Sequence, residues 1–363
     1  MLEIIYWIVL LINIFLLFLK RKPKSVLIID FIFVFILFYG TTTNNDYNYY
    51  VLMYEQGINR TVYEVGFNLI LDVIKITGLS FQGFIGMLWV VFGGLILHVF
   101  MKYTKNYPLF FTCYLIYIVF VDITQLKSFC ASAVLLYALY FYSVNKRMLF
   151  IFFDILAATI HIEMLFFLPL VFFNNNMKSH KFFKRCAQAI IATCVIFFFF
   201  REPLNSLIES IGTLVISILG NTEKSGYFIT QSNYGFLVYF ALHIAAIIAT
   251  YNVKRKSGKC MISQETNKIK QLIETTELIQ FYCLFSFPLI MMNMNFYRLY
   301  RVTIYFNFIA WATILDTFVN ATIGYYKCIF TILLANIIYR IPIIQGNDQI
   351  DIILNNNSII RGK

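Results

Sequence analysis

The chain has 363 residues, of which 60% are hydrophobic and only 13% are charged. A soluble domain of this size carries about a quarter charged residues, so the composition excludes an ordinary soluble protein. The formal charge of +11 is divided among short basic clusters between apolar segments. That distribution is typical of topology signals in a membrane protein and argues against a nucleic-acid partner.

Repeated apolar segments predict an all-α, polytopic integral membrane protein with about 10–12 transmembrane or half-membrane helices, whose outer-face loops form the site. The N-terminal segment has no basic leader and no small-residue cleavage site, so we interpret it as the first spanning helix. In chain order the apolar segments lie near residues 4–19, 26–40, 81–101, 108–121, 124–143, 148–173, 186–200, 235–253, 277–294, 302–321 and 328–344. They predict a single membrane domain over residues 1–344, followed by a polar tail at 345–363.

Basic residues assign the helix ends to the two sides, because Lys and Arg concentrate in cytoplasmic loops. With the N-terminus outside, 19 of the 29 basic residues lie inside, and residues 254–276 form a cytoplasmic loop. The ten outside are Arg60, Lys75, Lys127, Arg201, Lys224, Arg298, Arg301, Arg340, Arg361 and Lys363. Three of these flank spanning segments on the outer side, where the rule disfavours basic residues: Lys127, Arg298 and Arg301. A lysine at a helix end often only snorkels, so the arginine pair is the stronger candidate for function.

Residues 41–80 form the first predicted outer loop. Within residues 63–79, apolar side chains recur at helical spacing with polar side chains between them, which predicts an amphipathic helix on the membrane surface or a connector without function. The loop also holds Asp46 and Glu64 among tyrosines that include Tyr49 and Tyr50. Aromatic faces and carboxylates together are typical of sugar-binding surfaces, although tyrosines also collect at membrane interfaces for physical reasons.

The segment 148–173 has basic residues at both ends, so a single spanning helix would leave one basic loop outside. We predict instead two half-length segments, about 148–160 and 162–173, with a break in the sequence TIHIE. Each covers about 18 Å at 1.5 Å per residue, less than the roughly 30 Å of a bilayer core. A long tilted helix is the alternative. The break would put His161 at the outer turn, level with Lys127 and the late arginines.

Two side-chain types in these positions predict chemistry. Arg298 and Arg301 are three residues apart, so a helix presents both on one face, where paired guanidinium groups suit phosphate or diphosphate oxygens. Imidazoles titrate near neutral pH, so His161 is a candidate general base or donor to an anion. Glu163 need not share a helix face with it and is assigned no function. The seven cysteines show no paired or metal-ligand spacing, so we expect no metal site and no cofactor.

The order of these features resembles the EpsG-type family of bacterial polysaccharide polymerases, which is related to the Wzy-type polymerases. That family has a D-x-x-Y element and an E-x-G-[FY] element, which DYNYY and YEVGF resemble here. Its I-R-Q-x-x-A helix start and its later histidine element are similar to QLKSFCASAVLL and ATIHIEMLFF, and YRLYRVTIYF is similar to its late arginine loop. The similarity spans roughly residues 30–320. Lys127 replaces the family's arginine, and Glu163 and Met164 replace its small residues after the histidine.

The resemblance implies a multi-pass glycosyltransferase of the bacterial cytoplasmic (inner) membrane. Such polymerases transfer a glycan from undecaprenyl diphosphate to the non-reducing end of a lipid-linked repeat unit at the outer face, in capsule, O-antigen or exopolysaccharide synthesis. Carried to this chain, Arg298, Arg301 and Lys127 bind diphosphate, while His161, Asp46 or Glu64 acts as the base and Tyr49 and Tyr50 contact sugar. The implied partners are lipid-linked repeat units, membrane lipids, a flippase and a chain-length regulator.

Two other functions stay open from the sequence. A flippase for lipid-linked oligosaccharide is typically built from inverted repeats with charges near the midplane, whereas no repeat is detectable here and the charges gather at one face. A membrane O-acyltransferase that modifies polysaccharide would also use an intramembrane histidine. Its donor is cytoplasmic, so its histidine should be reachable from inside.

Overall fold

The computed structural model describes residues 2–58, 60, 64–173, 181–182, 184–186, 188–190, 192, 236–257, 266–292, 294–318, 322–345 and 349–361. Over these residues the regular structure is helical, and an isolated bridge joins Thr41 to Asn357. Among them, four helices are long and apolar enough to cross a membrane: Phe81–Met101, Tyr107–Thr124, Leu126–Ser143 and Leu237–Arg255. The predicted all-α, polytopic membrane fold is confirmed. The predicted segment at 186–200 lies mostly outside the described residues.

The helices are named here in chain order. They are α1 (Leu2–Phe18), α2 (Lys24–Tyr39), α3 (Tyr47–Glu55), α4 (Val65–Ile76), α5 (Phe81–Met101), α6 (Tyr107–Thr124), α7 (Leu126–Ser143), α8 (Arg147–Ile160), α9 (Phe236–Ser257), α10 (Thr266–Cys283), α11 (Phe287–Met292), α12 (Arg298–Asp316), α13 (Ile323–Gln345), α14 (Gln349–Asn355) and α15 (Ser358–Arg361). One π-turn interrupts α5 at Trp89–Gly93 and another interrupts α6 at Tyr114–Ile118. A 3₁₀ helix follows α8 at Ile162–Phe172.

The centre of the described fold is formed by α6, α7 and α12. Every residue of α6 is buried, as are residues 299–315 of α12. A helix that is apolar on all sides is expected in such a central position. By contrast, α1 and α2 expose apolar side chains such as Leu11 and Ile28, as lipid-facing helices do. The central helices therefore provide rigid supports for the polar residues at their ends.

The inner end of the bundle is joined by polar contacts. Lys22 forms an ion pair with Asp316 at the end of α12, and the Thr104 hydroxyl donates to the same carboxylate at 2.5 Å. The Asn106 amide donates to it at 3.2 Å. The chain after α5 also reaches the end of α7, where Tyr103 and Ser143 hydroxyls are 2.7 Å apart. The ends of α1, α5, α7 and α12 thus meet on one side, which the charge distribution predicts to be cytoplasmic.

The opposite end, which the same charge distribution predicts to face outward and which we call the outer end, gathers the first loop, the start of α7 and the C-terminal segment. The Asn44 amide donates to the Ile123 carbonyl at 3.5 Å, near the end of α6. The backbone N–H of Ser358 donates to the Gly40 carbonyl at 2.7 Å, which brings the chain after α14 beside the end of α2. The two groups of contacts lie at opposite ends of the central helices.

The segment 148–173 breaks at His161, as predicted. Its backbone is extended there (φ −145°, ψ 111°), between α8 and the 3₁₀ helix. The chain then turns back, because the Tyr142 hydroxyl near the end of α7 donates to the Phe173 carbonyl at 3.0 Å. The returning arm is a 3₁₀ helix, and Pro169 within it lacks the N–H that a regular α-helix needs. At about 2.0 Å per residue it covers about 22 Å, close to the roughly 21 Å of α8.

The helix predicted over residues 63–79 is present as α4, although Tyr63 lies outside the described residues. Phe67, Leu71 and Ile74 form its buried face, as their spacing predicts. The opposite face is also apolar and exposed, with Val65, Leu69, Val73 and Ile76. Its position on a membrane surface stays a prediction. The shorter α3, in the same loop, has no counterpart among the predicted elements.

Candidate functional site

The outer end of the bundle holds a cluster of polar side chains contributed by six parts of the chain. We call it the outer-end cluster. Its members are Asp46, Tyr49, Tyr50, Glu64, Lys127, His161 and Arg298. They come from the first loop and α3, from the residue before α4, and from the start of α7, the end of α8 and the start of α12. Of the eight residues that the sequence singles out, only Arg301 lies outside this cluster, one helical turn deeper.

Glu64 is the central carboxylate of the cluster. Its Oε2 accepts a hydrogen bond from Lys127 Nζ at 2.7 Å, and its Oε1 lies 3.7 Å from His161 Nδ1. The exposed fractions of Glu64, Lys127 and His161 are 6%, 9% and 6%. A buried charge is costly without a partner, so Lys127 and Glu64 stabilise each other's ionised form. The loop, α7 and the end of α8 are thereby linked through one side chain.

Two tyrosines of α3 surround Lys127. The Lys127 ammonium donates to the Tyr49 hydroxyl at 3.1 Å and lies 5.1 Å from the centre of the Tyr49 ring. The backbone N–H of Lys127 donates to the Tyr50 hydroxyl at 3.3 Å. Tyr50 is buried, and burial raises the pKa of its phenol, as does the nearby charge of Asp46. Tyr49 is 36% exposed, so of the two tyrosines it has the ring that a ligand can reach.

Asp46 and Arg298 form the more accessible part of the cluster. Both are half-buried. Burial raises the pKa of the Asp46 carboxyl above its ordinary value, while the positive charges of Arg298 and Lys127 act in the opposite direction. Asp46 therefore lies within electrostatic reach of both cations and holds a proton more tightly than an ordinary aspartate. Such a carboxyl is suited to accept a proton at a pH closer to neutral.

Glu163 is a cluster neighbour that the sequence interpretation missed. Its Oε2 lies 4.0 Å from His161 Nε2, so the imidazole stands between two carboxylates. No function was assigned to Glu163 because side chains two apart do not share a face of an α-helix. The break at His161 removes that premise, since the backbone is not α-helical there. The predicted break was thus the signal from which the contact could have been inferred.

Arg301 lies at the boundary between the cluster and the core. Its guanidinium forms an ion pair with Asp122 of α6, and its Nη1 donates to Gln125 Oε1 at 2.9 Å. Asp122 also accepts hydrogen bonds from Tyr114 at 2.8 Å and Tyr305 at 2.5 Å. Arg301 is 1% exposed, and its Nη1 and Nη2 atoms both donate to protein groups. Diphosphate binding by Arg301 stays a prediction.

A close approach of α4 to α8 fixes the position of Glu64. A Cβ atom added at Gly66 would lie 2.4 Å from Thr159 Oγ1 and 2.9 Å from the Thr159 carbonyl carbon. The Gly66→Ala variant should therefore force α4 away from α8, and overpacking of this kind costs about 1–3 kcal/mol. We expect a lower unfolding temperature for the purified protein. Gly94→Ala is the matched control, because an added Cβ there has no atom within 4 Å. Equal unfolding temperatures for the two variants would contradict this packing role.

Among the described residues, no group of three or more His, Cys, Asp or Glu side chains is arranged to hold a metal ion. The chemistry of the outer-end cluster is that of two cations, three carboxylates counting Glu163, and one imidazole. Such a set can bind an anion, accept a proton and contact a sugar.

The comparisons with known proteins agree with the resemblance. The model of the EpsG family matches residues 25–348, which is most of the chain. Neither the comparison with curated proteins nor that with solved structures gave a match. The matched region contains every residue of the outer-end cluster. The chain therefore belongs to the EpsG family, a bacterial family of membrane proteins of polysaccharide biosynthesis.

Proposed function

We propose that this member of the EpsG family is a polymerase of lipid-linked glycan repeat units. It transfers the growing glycan from undecaprenyl diphosphate to the non-reducing end of the next lipid-linked unit, at the outer face of the bacterial cytoplasmic membrane. The observation that carries the proposal is the outer-end cluster. Two cations and several acid–base side chains converge there at one end of a helical bundle, and the proposal puts the lipid diphosphate at that end.

The transfer forms one bond and breaks another. The acceptor hydroxyl oxygen bonds to the anomeric carbon of the donor, while the bond from that carbon to the diphosphate oxygen breaks. Undecaprenyl diphosphate leaves with the bonding electrons, and the hydroxyl proton passes to a base. We assign stabilisation of the departing diphosphate to Arg298 and Lys127, because cations placed where negative charge develops lower the barrier.

Asp46 is the base in this proposal. It is half-buried, whereas Glu64 and His161 are 6% exposed each. Glu64 already accepts a hydrogen bond from Lys127. If Glu64 took up a proton, this ion pair would be lost and the buried Lys127 ammonium would be left without its counter-charge. We assign Glu64 and His161 to a buried network that orients Lys127. Partners implied by the reaction are the lipid-linked repeat units, membrane lipids, a flippase that delivers the units and a chain-length regulator.

Tyr49 is assigned a sugar contact, because its exposed ring lies beside Lys127. Tyr49→Ala should raise KM for the lipid-linked unit by about tenfold, since aromatic contacts contribute about 0.5–1.5 kcal/mol. Tyr49→Phe keeps the ring and should stay within about threefold of the native KM. Tyr326→Ala serves as the control, because Tyr326 is exposed to a similar extent (39%) but lies near the inner end. An unchanged KM in Tyr49→Ala would remove Tyr49 from the sugar site.

The O-acyltransferase alternative gains no support from the geometry. Its histidine should be reachable from the cytoplasmic end, where Lys22 and Asp316 meet. His161 lies at the opposite end of α8, beside Glu64 and Lys127.

Deletion of the gene tests the proposal in cells. Single-repeat lipid-linked units should accumulate on the outer leaflet of the deletion strain. Accumulation on the inner leaflet would favour a flippase. Long glycan of normal length that lacks acyl groups would favour the acyltransferase.

A further inference from the structure

The start of α7 is set by a sharp corner in the chain. Helix α6 ends at Thr124 and α7 begins at Leu126, so a single residue, Gln125, makes the connection. Its backbone (φ −111°, ψ 68°) is outside the helical region. Lys127 is the second residue of α7, and the direction in which its side chain leaves the helix depends on this corner.

Arg301 ties that corner to the start of α12. Its Nη1 donates to the Gln125 side chain at 2.9 Å, and its Nη2 forms an ion pair with Asp122, which lies three residues before Gln125. Arg298 lies three residues before Arg301, on the first turn of α12. One buried guanidinium therefore connects the backbone segments that carry the two cations of the outer-end cluster.

Asp122 accepts hydrogen bonds from both helices that meet here, α6 and α12. Tyr114 donates from α6 at 2.8 Å and Tyr305 donates from α12 at 2.5 Å. Asp122 is fully buried, and Arg301 is nearly so. A buried ion pair is often no more stabilising than well-packed apolar residues, so its contribution to stability does not by itself account for this arrangement. The contacts do have a specific geometric effect, because four side chains from α6 and α12 bond to one another and fix the position of one helix along the other.

We infer that Asp122, Gln125 and Arg301 are positioning residues that fix the Lys127 and Arg298 side chains relative to each other. They act through the corner before α7 and the first turn of α12, and for Arg301 this positioning role takes the place of the direct diphosphate contact that its spacing from Arg298 predicts. The inference rests on the proposed function, in which both cations bind one diphosphate. Lysine and arginine side chains are long and flexible, so anchoring the two helix starts to each other reduces the reorganisation that diphosphate binding requires.

Gln125 offers the sharpest test, because it is half-buried and its change leaves the buried ion pair intact. Gln125→Leu keeps the volume but removes the acceptor for Arg301. Gln125→Glu restores an acceptor at the same place. We expect Gln125→Leu to lower kcat by about tenfold and to weaken inhibition by added undecaprenyl diphosphate by a similar factor, as loss of a hydrogen bond to a charged group does. Gln125→Glu should recover most of both.

Asn307→Leu is the matched control for a merely structural effect. Asn307 is a buried residue of α12 whose side chain accepts a hydrogen bond from Gln280 at 2.7 Å, away from the cluster. If the two substitutions lower the unfolding temperature equally, inhibition by undecaprenyl diphosphate should still be about tenfold weaker in Gln125→Leu and native in Asn307→Leu. Native inhibition and kcat in Gln125→Leu, or equal losses in both variants, would overturn the inference while leaving the proposed function intact. Failure of the unmodified protein to extend glycan or to bind undecaprenyl diphosphate would overturn both.

Discussion

Replacing Arg298 with alanine should abolish chain extension, with a fall of about 10²–10³-fold in the rate of glycan transfer. Arg298 is the half-buried arginine at the start of α12, and its charge acts on Asp46 across the outer-end cluster. In the proposed reaction it therefore binds a diphosphate that approaches from the outer end. Without it, the negative charge that develops on the leaving diphosphate would be offset by Lys127 alone. The measurement is the length distribution of glycan in cells that carry the variant, together with the amount of single-repeat lipid-linked unit.

In Arg298→Ala the level of the protein should be unaffected, and the amount of single-repeat lipid-linked unit should be unaffected or increased. This pattern separates a catalytic loss from a failure to fold. Arg298→Lys should retain part of the activity, because an ammonium supplies charge without the bidentate donors of a guanidinium. Arg60→Ala is the matched control on the same side of the bundle, since Arg60 forms an ion pair with Asp72 near the surface. Long glycan of native length in the Arg298→Ala strain would remove Arg298 from the mechanism.

Asp46→Asn should lower the transfer rate by about 10²–10⁴-fold, the usual contribution of a general base. The same variant should alter the pH profile. In the native protein, kcat/KM should fall as the pH drops through the pKa of Asp46, because only the carboxylate accepts a proton. Burial raises that pKa above the ordinary aspartate value of 3.8, so the acid limb lies at higher pH than an unperturbed aspartate would give. In Asp46→Asn the residual activity should lack this limb.

The stability of Asp46→Asn follows from the sign of the same pKa shift. A raised pKa in the folded state means that the folded protein binds the proton more tightly than the unfolded chain does. Ionisation of Asp46 at neutral pH therefore costs stability, and the neutral asparagine avoids this cost. We expect an unfolding temperature equal to or above the native one at pH 7, with the activity lost. Asp72→Asn, at an exposed aspartate of α4, is the control for the charge change. An unchanged acid limb in Asp46→Asn would transfer the role of base to another group.

Much of the fold could be predicted from the sequence, because apolar segments and basic clusters report directly on helices and their ends. The break in segment 148–173 followed from the basic residues at its two ends, and the structure locates it at His161. The form of the returning arm did not follow. Hydrophobicity gives the length of an apolar segment but does not separate an α-helix from a 3₁₀ helix, and the proline in that arm is the only local signal.

The site was predictable as a set of residues but not as a set of contacts. Charge, aromatic neighbours and predicted side single out Asp46, Glu64, Lys127 and His161 in three separate segments of the sequence. Their pairing depends on how helices pack, which short motifs do not specify. Glu64 thus emerged as the partner of Lys127 only from the structure.

The surroundings of Arg301 could not be predicted from the sequence. Its spacing from Arg298 predicted two guanidinium groups on one face, yet the two have different surroundings, because burial increases steeply along the first turn of α12. Asp122, the acid that pairs with Arg301, lies 179 residues away in the sequence. Nothing in either segment alone indicates that they meet.

The resemblance of QLKSFCASAVLL to the family's helix start implies an arginine at the place of Lys127. In the structure its ammonium lies between the Glu64 carboxylate and the rings of Tyr49 and Phe67, at 5.1 and 5.8 Å from the ring centres. A compact ammonium fits a site bounded by one carboxylate and two aromatic faces. The substitution therefore keeps the positive charge while changing how it is held.

The most direct measurement is polymerisation by the purified protein in proteoliposomes, supplied only with lipid-linked repeat units extracted from a strain that lacks the gene. We expect a ladder of glycans on undecaprenyl diphosphate, with one undecaprenyl diphosphate released for each bond formed and no nucleotide sugar required. The ladder should be absent with Arg298→Ala and present with Arg60→Ala. Unchanged single-repeat units after incubation with the folded native protein would contradict the claim that this chain is the polymerase.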